Sequence, residues 1–159
     1  MRVKTELSER PPAFAVSRTE DRAVITFYTD AELLPRDEGE AWSAIAWTIE
    51  CAWSDNIEER ISKATDLWYA AAKAECYAQA AAAVRARRDE LLAASDASMA
   101  LDRLGLTVPS GSTFTAWLSV LKGIGDVLTG EVATYRQALR DITQQVGFPY
   151  DVRWPEAEK

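Results

Sequence analysis

The spacing of the hydrophobic positions predicts strands in the first third of the chain. Two short apolar-rich runs, residues 13–18 and 22–28, flank a polar turn at 19–21, and this arrangement predicts a β-hairpin. The run 42–53 then alternates between large apolar and small or polar residues from position 44 onward. Such a period of two indicates a third, half-buried strand.

One face of that third strand is strongly apolar. Its residues are Ile45, Trp47, Ile49, Cys51 and Trp53. Three antiparallel strands with one large apolar face are not stable alone in water. We therefore expect the segment that follows to cover the tryptophan face, so that Trp47 and Trp53 are core residues.

A helical period begins after residue 53. Ser54 or Asp55 is placed to cap a helix, and Glu58 stands in capping-box spacing to Asp55. The predicted apolar stripe consists of Ile57, Ile61, Ala64, Trp68, Ala71 and Glu75, widened by Leu67 and Ala72. Neither glycine nor proline occurs between residues 39 and 105, so the spacing predicts one unbroken helix from about 55 to about 96, roughly 60 Å long.

The alanine-rich part of this helix, residues 80–88, has two interpretations. Small side chains allow another helix to approach closely, which would suit a homo-oligomer, with a trimer plausible. The same sequence also suits a solvated helix of strong helix formers. The sequence leaves both open.

The last third is predicted to be helical with an extended end. Residues 105–112 have the composition of a loop, and 113–130 are predicted to form an apolar helix interrupted by Gly123 and Gly125. A cleaner helix follows over 131–145, with a left-handed C-cap expected at Gly147. Its predicted apolar stripe is Val132, Tyr135, Leu139, Ile142 and Val146.

The C-terminal tail is unusually aromatic for a polar chain end. Pro149 and Pro155 keep their neighbours extended. Phe148, Val152 and Trp154 then need a surface, either on this chain or on a partner.

These elements define the predicted architecture. The fold class is α+β, with a small N-terminal antiparallel β-meander of about three strands. A long α-helix and a C-terminal helical hairpin with an extended aromatic tail follow. The predicted domains are a β-rich unit, 1–53, and a helical region, 54–159.

The composition of the chain argues against several classes of function. The 159 residues carry a net charge of -7, which opposes binding to nucleic acid and to anionic membranes. No apolar run is long enough to span a bilayer, so we expect no membrane insertion. The chain contains no histidine, the commonest general base and zinc ligand, and this favours a binding or structural role. The charged first 12 residues do not resemble a signal peptide, so Cys51 and Cys76 are expected to be free thiols.

Other candidate chemistry has ordinary structural explanations. The acidic groups Asp37, Glu38 and Glu40 fall in a predicted loop, whereas Glu58 and Glu59 fall in a first helical turn, which favours anions. We therefore expect no catalytic residue, no metal and no cofactor. Trp42 and Trp117 are instead candidate exposed anchors for a partner.

Two blocks of the chain carry a recognisable signature, residues 88–96 and 135–155. The matching positions are Arg88, Leu91, Leu92, Ser95 and Asp96 in the first block, and Tyr135, Arg136, Leu139, Arg140, Asp141, Gly147, Phe148, Pro149, Trp154 and Pro155 in the second. Together they resemble the C-terminal signature of the phage tail assembly chaperone family. This chain departs from the family pattern at Ala97 and Val132, where aromatic residues are usual, and its 97–134 segment is longer.

The resemblance implies a non-enzymatic bacteriophage tail protein. It would bind a tail-fibre or tail-tip protein in the host cytoplasm and assist tail assembly. Two helices could also gather the charged residues of the two blocks into one cluster. The expected partner-binding residues are Tyr135, Arg136, Arg140, Asp141, Phe148, Trp154, Arg88, Asp96 and Trp117.

Two other functions remain open. One is a structural subunit of the tail tip, baseplate or fibre attachment that stays in the virion. The other is a phage-encoded enzyme or small-ligand binder.

Overall fold

The computed structural model describes residues 1–35, 41–98 and 114–156 and confirms the α+β class. The chain divides into two compact units, Met1–Ala80 and Ala81–Lys159. The predicted domain boundary after residue 53 stays a prediction. The predicted loop at 105–112 and the acidic group of Asp37, Glu38 and Glu40 lie outside the described residues.

The first unit contains a four-stranded antiparallel sheet rather than the expected three strands. Its strands are β1 (Arg2–Leu7), β2 (Phe14–Thr19), β3 (Arg22–Leu34) and β4 (Ala41–Ala52), in the order β1-β4-β3-β2. The predicted hairpin is confirmed: β2 pairs with β3 and the strands meet at Thr19 and Arg22. Glu20 in its turn has a φ of 56°.

Strand β1 is the element that the sequence reasoning missed. It pairs with β4 from Arg2 opposite Trp47 to Leu7 opposite Trp42. Its apolar and polar residues do alternate, but the charged positions dominate the composition of the segment. At the edge of a sheet such charges are suitable, because they discourage pairing with further strands.

Two helical segments cover the tryptophan face, as predicted. Helix α1 spans Ile57–Lys63 and helix α2 spans Thr65–Ser98. The buried core of the unit consists of Ala23, Ile25, Phe27, Trp47, Ile57, Ile61, Ala72 and Cys76, with Trp53 and Trp68 packed against it. Both cysteines are free, and Cys76 is buried as expected.

The prediction of one unbroken helix was wrong, because the backbone leaves the helical region at Ala64 (φ -144°, ψ 40°). The Thr65 hydroxyl donates to the Ile61 carbonyl at 3.0 Å, a local bond of the kind that competes with regular helix. Beyond the break the predicted stripe is confirmed only in part. Ala72 is buried as predicted, and so is Cys76, whereas the predicted stripe residues Leu67, Ala71 and Glu75 are exposed.

The predicted cap of the first helix was also wrong. Asn56 occupies the N-cap position without a side-chain cap bond. Asp55 instead accepts a hydrogen bond from the Trp53 indole at 3.3 Å, and the Ile57 N–H donates to the Ser54 carbonyl. This turn moves the helix start beyond the predicted cap.

Every tryptophan of the first unit has a cation over its ring. The pairs are Arg10 over Trp42, Arg18 over Trp53, Arg60 over Trp68, and both Arg2 and Lys73 over Trp47, at 4.9–5.9 Å from the ring centroids. A cation over an aromatic face is favourable by about 0.5–1 kcal/mol at exposed sites. Trp42 is therefore partly covered by the chain itself.

The second unit contains helix α3 (Phe114–Thr129), helix α4 (Glu131–Arg140) and a 3₁₀ helix over Asp141–Gln144. Contrary to prediction, Gly123 and Gly125 do not interrupt α3. Glycine inside a helix costs about 1 kcal/mol relative to alanine, and this cost does not break α3. No helix among the described residues combines the length and apolar character needed to cross a membrane.

The end of the α4 segment differs from prediction in two details. Leu139 and Ile142 are fully buried as expected, but Val146 is fully exposed, because the chain tightens into the 3₁₀ helix and changes phase. Gly147 does not adopt the predicted left-handed conformation. It is instead a close-approach site, since a Cβ atom there would lie 1.9 Å from the Asp151 carbonyl oxygen.

Candidate protein-contact site

Arg136 links the end of α2 to α4. One of its terminal guanidinium nitrogens lies 2.5 Å from the Ser95 hydroxyl oxygen and 2.5 Å from an Asp96 carboxylate oxygen. The same nitrogen lies 3.4 Å from the Leu92 carbonyl oxygen. The Arg136 side chain is only 16% exposed, so these contacts satisfy a largely buried charge.

The other predicted members of the charged cluster pair with their sequence neighbours. Arg88 forms an ion pair with Asp89 at 2.7 Å. Asp141 accepts hydrogen bonds from the side chains of Gln137 and Gln144, and Arg140 is exposed. Of the five charged residues expected to cluster, the structure therefore joins Arg136 and Asp96.

The aromatic tail folds back onto its own unit. The Gln145 amide donates to the Arg153 carbonyl and accepts from the Arg153 N–H, both at 2.8 Å. Within this loop the N–H groups of Tyr150 and Asp151 both donate to the Gly147 carbonyl. Arg85 lies over the Phe148 ring at 5.6 Å.

These bonds leave the tail aromatics unequally exposed. Pro149 is buried, while Tyr135, Phe148 and Val152 are half-buried. Trp154 is 37% exposed, and Tyr150 is exposed to a similar degree. Trp154 is therefore the expected partner-binding residue of the tail that offers the most surface to a partner.

Helix α3 presents a larger apolar surface, which we call the α3 stripe. Its members are Phe114, Trp117, Leu118 and Leu121, and they are 45–79% exposed. The spacing i, i+3, i+4, i+7 places them on one helix face. The sequence reasoning named only Trp117, although the spacing of all four was available. The other three fall within the apolar helix predicted over 113–130.

Nothing in the described part of the chain is arranged to hold a metal. Among residues 1–35, 41–98 and 114–156, no group of three or more acidic or cysteine side chains is close enough to share an ion. The second unit is held together by the Arg136 and Gln145 contacts and exposes aromatic and aliphatic side chains. Such a surface can bind protein.

The C-terminal half of the chain matches a known family. Residues 81–157 match the family model described as phage tail assembly chaperone protein, which confirms the resemblance found in the sequence. The match begins where the second compact unit begins, at Ala81. The match covers the C-terminal region and does not include residues 1–80. Searches of curated proteins and of solved structures gave no significant match.

Proposed function

We propose that this chain, whose C-terminal region belongs to the phage tail assembly chaperone family, binds a tail-fibre or tail-tip protein and assists tail assembly. It acts in the host cytoplasm without making or breaking covalent bonds. The observation that carries the proposal is the coincidence of the matched region, 81–157, with a compact unit that exposes large apolar side chains.

The signature residues fall into two groups with different roles. Leu139, Pro149 and Arg136 are buried or nearly so and Gly147 allows a close backbone approach, so they build the unit. Trp154 and Arg140 remain at the surface. The second group is the one available to a partner.

A chaperone of this kind works by covering an apolar surface of its immature partner. Burying one large apolar side chain contributes about 1.5–3 kcal/mol. A few such residues at the centre of an interface commonly supply most of its affinity. Trp154 of the tail and the side chains of the α3 stripe are among the exposed large apolar groups of the second unit.

Co-expression with individual tail proteins tests the proposal. We expect the tagged chain to capture one tail-fibre or tail-tip protein, and we expect Trp154→Ala to weaken the capture about tenfold or more. Leu67→Ala removes an even more exposed apolar side chain from the first unit, 74% against 37% for Trp154, and serves as the control. Failure of the wild-type chain to bind any tail protein would contradict the proposal.

A structural virion subunit is the second candidate function. Ala74, Ala78 and Ala82 recur every four residues on α2 and are exposed, which allows a second helix to approach closely, as in a trimer or another homo-oligomer. Mass spectrometry of purified particles separates the two functions. A stoichiometric signal from this chain supports the structural role, and its absence supports transient assistance.

A further inference from the structure

We infer that Gln145 is a positioning residue for partner recognition, because it fixes the backbone beside Trp154 and so presents the indole to the partner. This inference rests on the proposed function, in which Trp154 contacts a tail protein. Gln145 is neither one of the matching signature positions nor one of the contact residues expected from the sequence. We call residues 145–154 the tail loop.

The tail loop is held near both of its ends by side chains of the second unit. At its C-terminal end, the Gln145 amide forms two hydrogen bonds of 2.8 Å with the backbone of Arg153. Near its beginning, Arg85 of α2 lies over the Phe148 ring at 5.6 Å. Pro149, between these two points, is buried. The loop is therefore fixed to its unit before any partner binds.

The bonds from Gln145 are the last backbone restraint before Trp154. Arg153 directly precedes Trp154, and neither Trp154 nor the residues after it form a hydrogen bond with another described residue. Trp154 is 37% exposed, so part of its surface rests on the chain and part is available to a partner. The direction in which the indole leaves the unit is therefore set one residue earlier, by Gln145.

Such a restraint acts on affinity. A contact residue that is already oriented loses less conformational entropy on binding than one that must be ordered by the partner. Without the two bonds from Gln145, that ordering cost is subtracted from the affinity of the complex. Both bonds are solvent-exposed, so their loss should affect the presentation of Trp154 more than the folding of the unit.

The primary amide of Gln145 is chemically suited to this role, because it donates and accepts hydrogen bonds at once. Its donor bonds the Arg153 carbonyl, and its acceptor bonds the Arg153 N–H. Gln145→Glu has almost the same size, but its carboxylate at neutral pH accepts and does not donate. It sets a charged oxygen against the Arg153 carbonyl and should release the loop, whereas a role in packing alone would tolerate the change.

Fluorine NMR of the full chain labelled with 5-fluorotryptophan tests the ordering of Trp154 without a partner. The signal of Trp154 is assigned with Trp154→Phe, and it should become narrower in Gln145→Ala and in Gln145→Glu. Gln144→Ala is the matched control, because the Gln144 amide bonds only to Asp141, and it should leave the signal unchanged. An unchanged line width in both Gln145 variants would overturn the inference, whatever the partner is.

The tail protein captured in the co-expression test is the probe for affinity, and isothermal titration measures its binding. Gln145→Ala and Gln145→Glu should each weaken binding about threefold or more, and Gln144→Ala should not. In the Trp154→Ala background, Gln145→Ala should have a further effect of less than about twofold, because Gln145 acts through Trp154. Circular dichroism of every variant confirms that it is folded.

The outcomes separate this inference from the proposed function. If the wild-type chain captures a tail protein and both Gln145 variants bind it equally well, the inference fails while the proposed function stands. If the losses from Gln145→Ala and Trp154→Ala are fully additive, Gln145 does not act through Trp154 and the inference is wrong. If the wild-type chain captures no tail protein, the proposed function fails and the inference fails with it.

Discussion

The side-chain amide of Gln145 pairs with the backbone of Arg153, donating to its carbonyl and accepting from its N–H at 2.8 Å each. Two paired residues of neighbouring antiparallel strands exchange a pair of hydrogen bonds in the same way. Here the side-chain amide of Gln145 takes the place of one strand's backbone. It closes the loop that contains the Phe148–Pro149 segment. The aromatic tail is therefore tied to the residues directly after α4.

Gln145→Ala should release the end of the tail. Each lost hydrogen bond is worth about 1 kcal/mol, and the peptide bond after Arg153 should become a better trypsin substrate while global unfolding changes little. Limited proteolysis followed by mass spectrometry measures the effect. Gln144→Ala removes a neighbouring amide that bonds only locally to Asp141 and should leave the cleavage rate unchanged. Equal rates for Gln145→Ala and wild type would show that other contacts hold the tail.

Gly147→Ala should destabilise the second unit. The new Cβ would lie 1.9 Å from the Asp151 carbonyl oxygen, so backbone must move, and we expect a loss of about 2–4 kcal/mol in the free energy of unfolding. Gly125→Ala is the matched control, because a Cβ there meets nothing within 4 Å. It should stabilise α3 by up to about 1 kcal/mol. Urea denaturation followed by far-ultraviolet circular dichroism measures both, and opposite signs are the expected result.

Arg136→Met should lower the free energy of unfolding by about 1–3 kcal/mol, because Ser95 and Asp96 lose a charged hydrogen-bond donor. Arg140→Met, on the exposed side of the same helix, should change it by less than about 0.5 kcal/mol. A double-mutant cycle with Ser95→Ala measures how much of the loss belongs to that contact. Additive effects in the cycle would mean that Arg136 acts through its other neighbours.

Ile61→Ala should lower the free energy of unfolding of the first unit by about 2–5 kcal/mol, since Ile61 is fully buried in its core. Leu67→Ala should have almost no effect, because Leu67 is 74% exposed. Thermal unfolding of both variants gives the comparison. Similar losses for the two variants would contradict the helix break at Ala64.

Most strand positions were predictable from the sequence because alternating apolar and polar residues indicate a half-buried strand. The β2–β3 hairpin and the β4 strand both follow directly from the alternation and the polar turn. Strand β1 was missed because its alternation is carried by few apolar residues among charges. Pairing with β4 supplies the stability that its own sequence does not show.

Helix interiors were predictable, but helix ends and phases were not. Nothing in the composition around Ala64 signals a break, where the Ala64 N–H and the Thr65 hydroxyl both donate to the Ile61 carbonyl. Beyond the break the predicted stripe residues Ala71 and Glu75 are exposed, whereas Ala72 and Cys76 are buried. At the other end, the change to a 3₁₀ helix after Arg140 similarly left Val146 exposed.

The candidate site was predictable in part. Two helices were expected to gather five charged residues into one cluster, and of these five the structure joins Arg136 and Asp96. The α3 stripe was not identified as a surface, since a run of apolar residues in a helix is more often core than exposed. Only coordinates show that Phe114, Leu118 and Leu121 remain accessible.

The uneven distribution of tryptophans has a spectroscopic consequence. Four of the six indoles belong to Met1–Ala80, where cations and core groups surround them, and Trp117 and Trp154 belong to the other unit. Intrinsic emission during denaturation will therefore report mainly the loss of the sheet and its covering helices. A neutral quencher such as acrylamide, by contrast, will reach Trp117 and Trp154 in the native protein first. Partner binding at α3 should be visible as protection of that quenchable fraction.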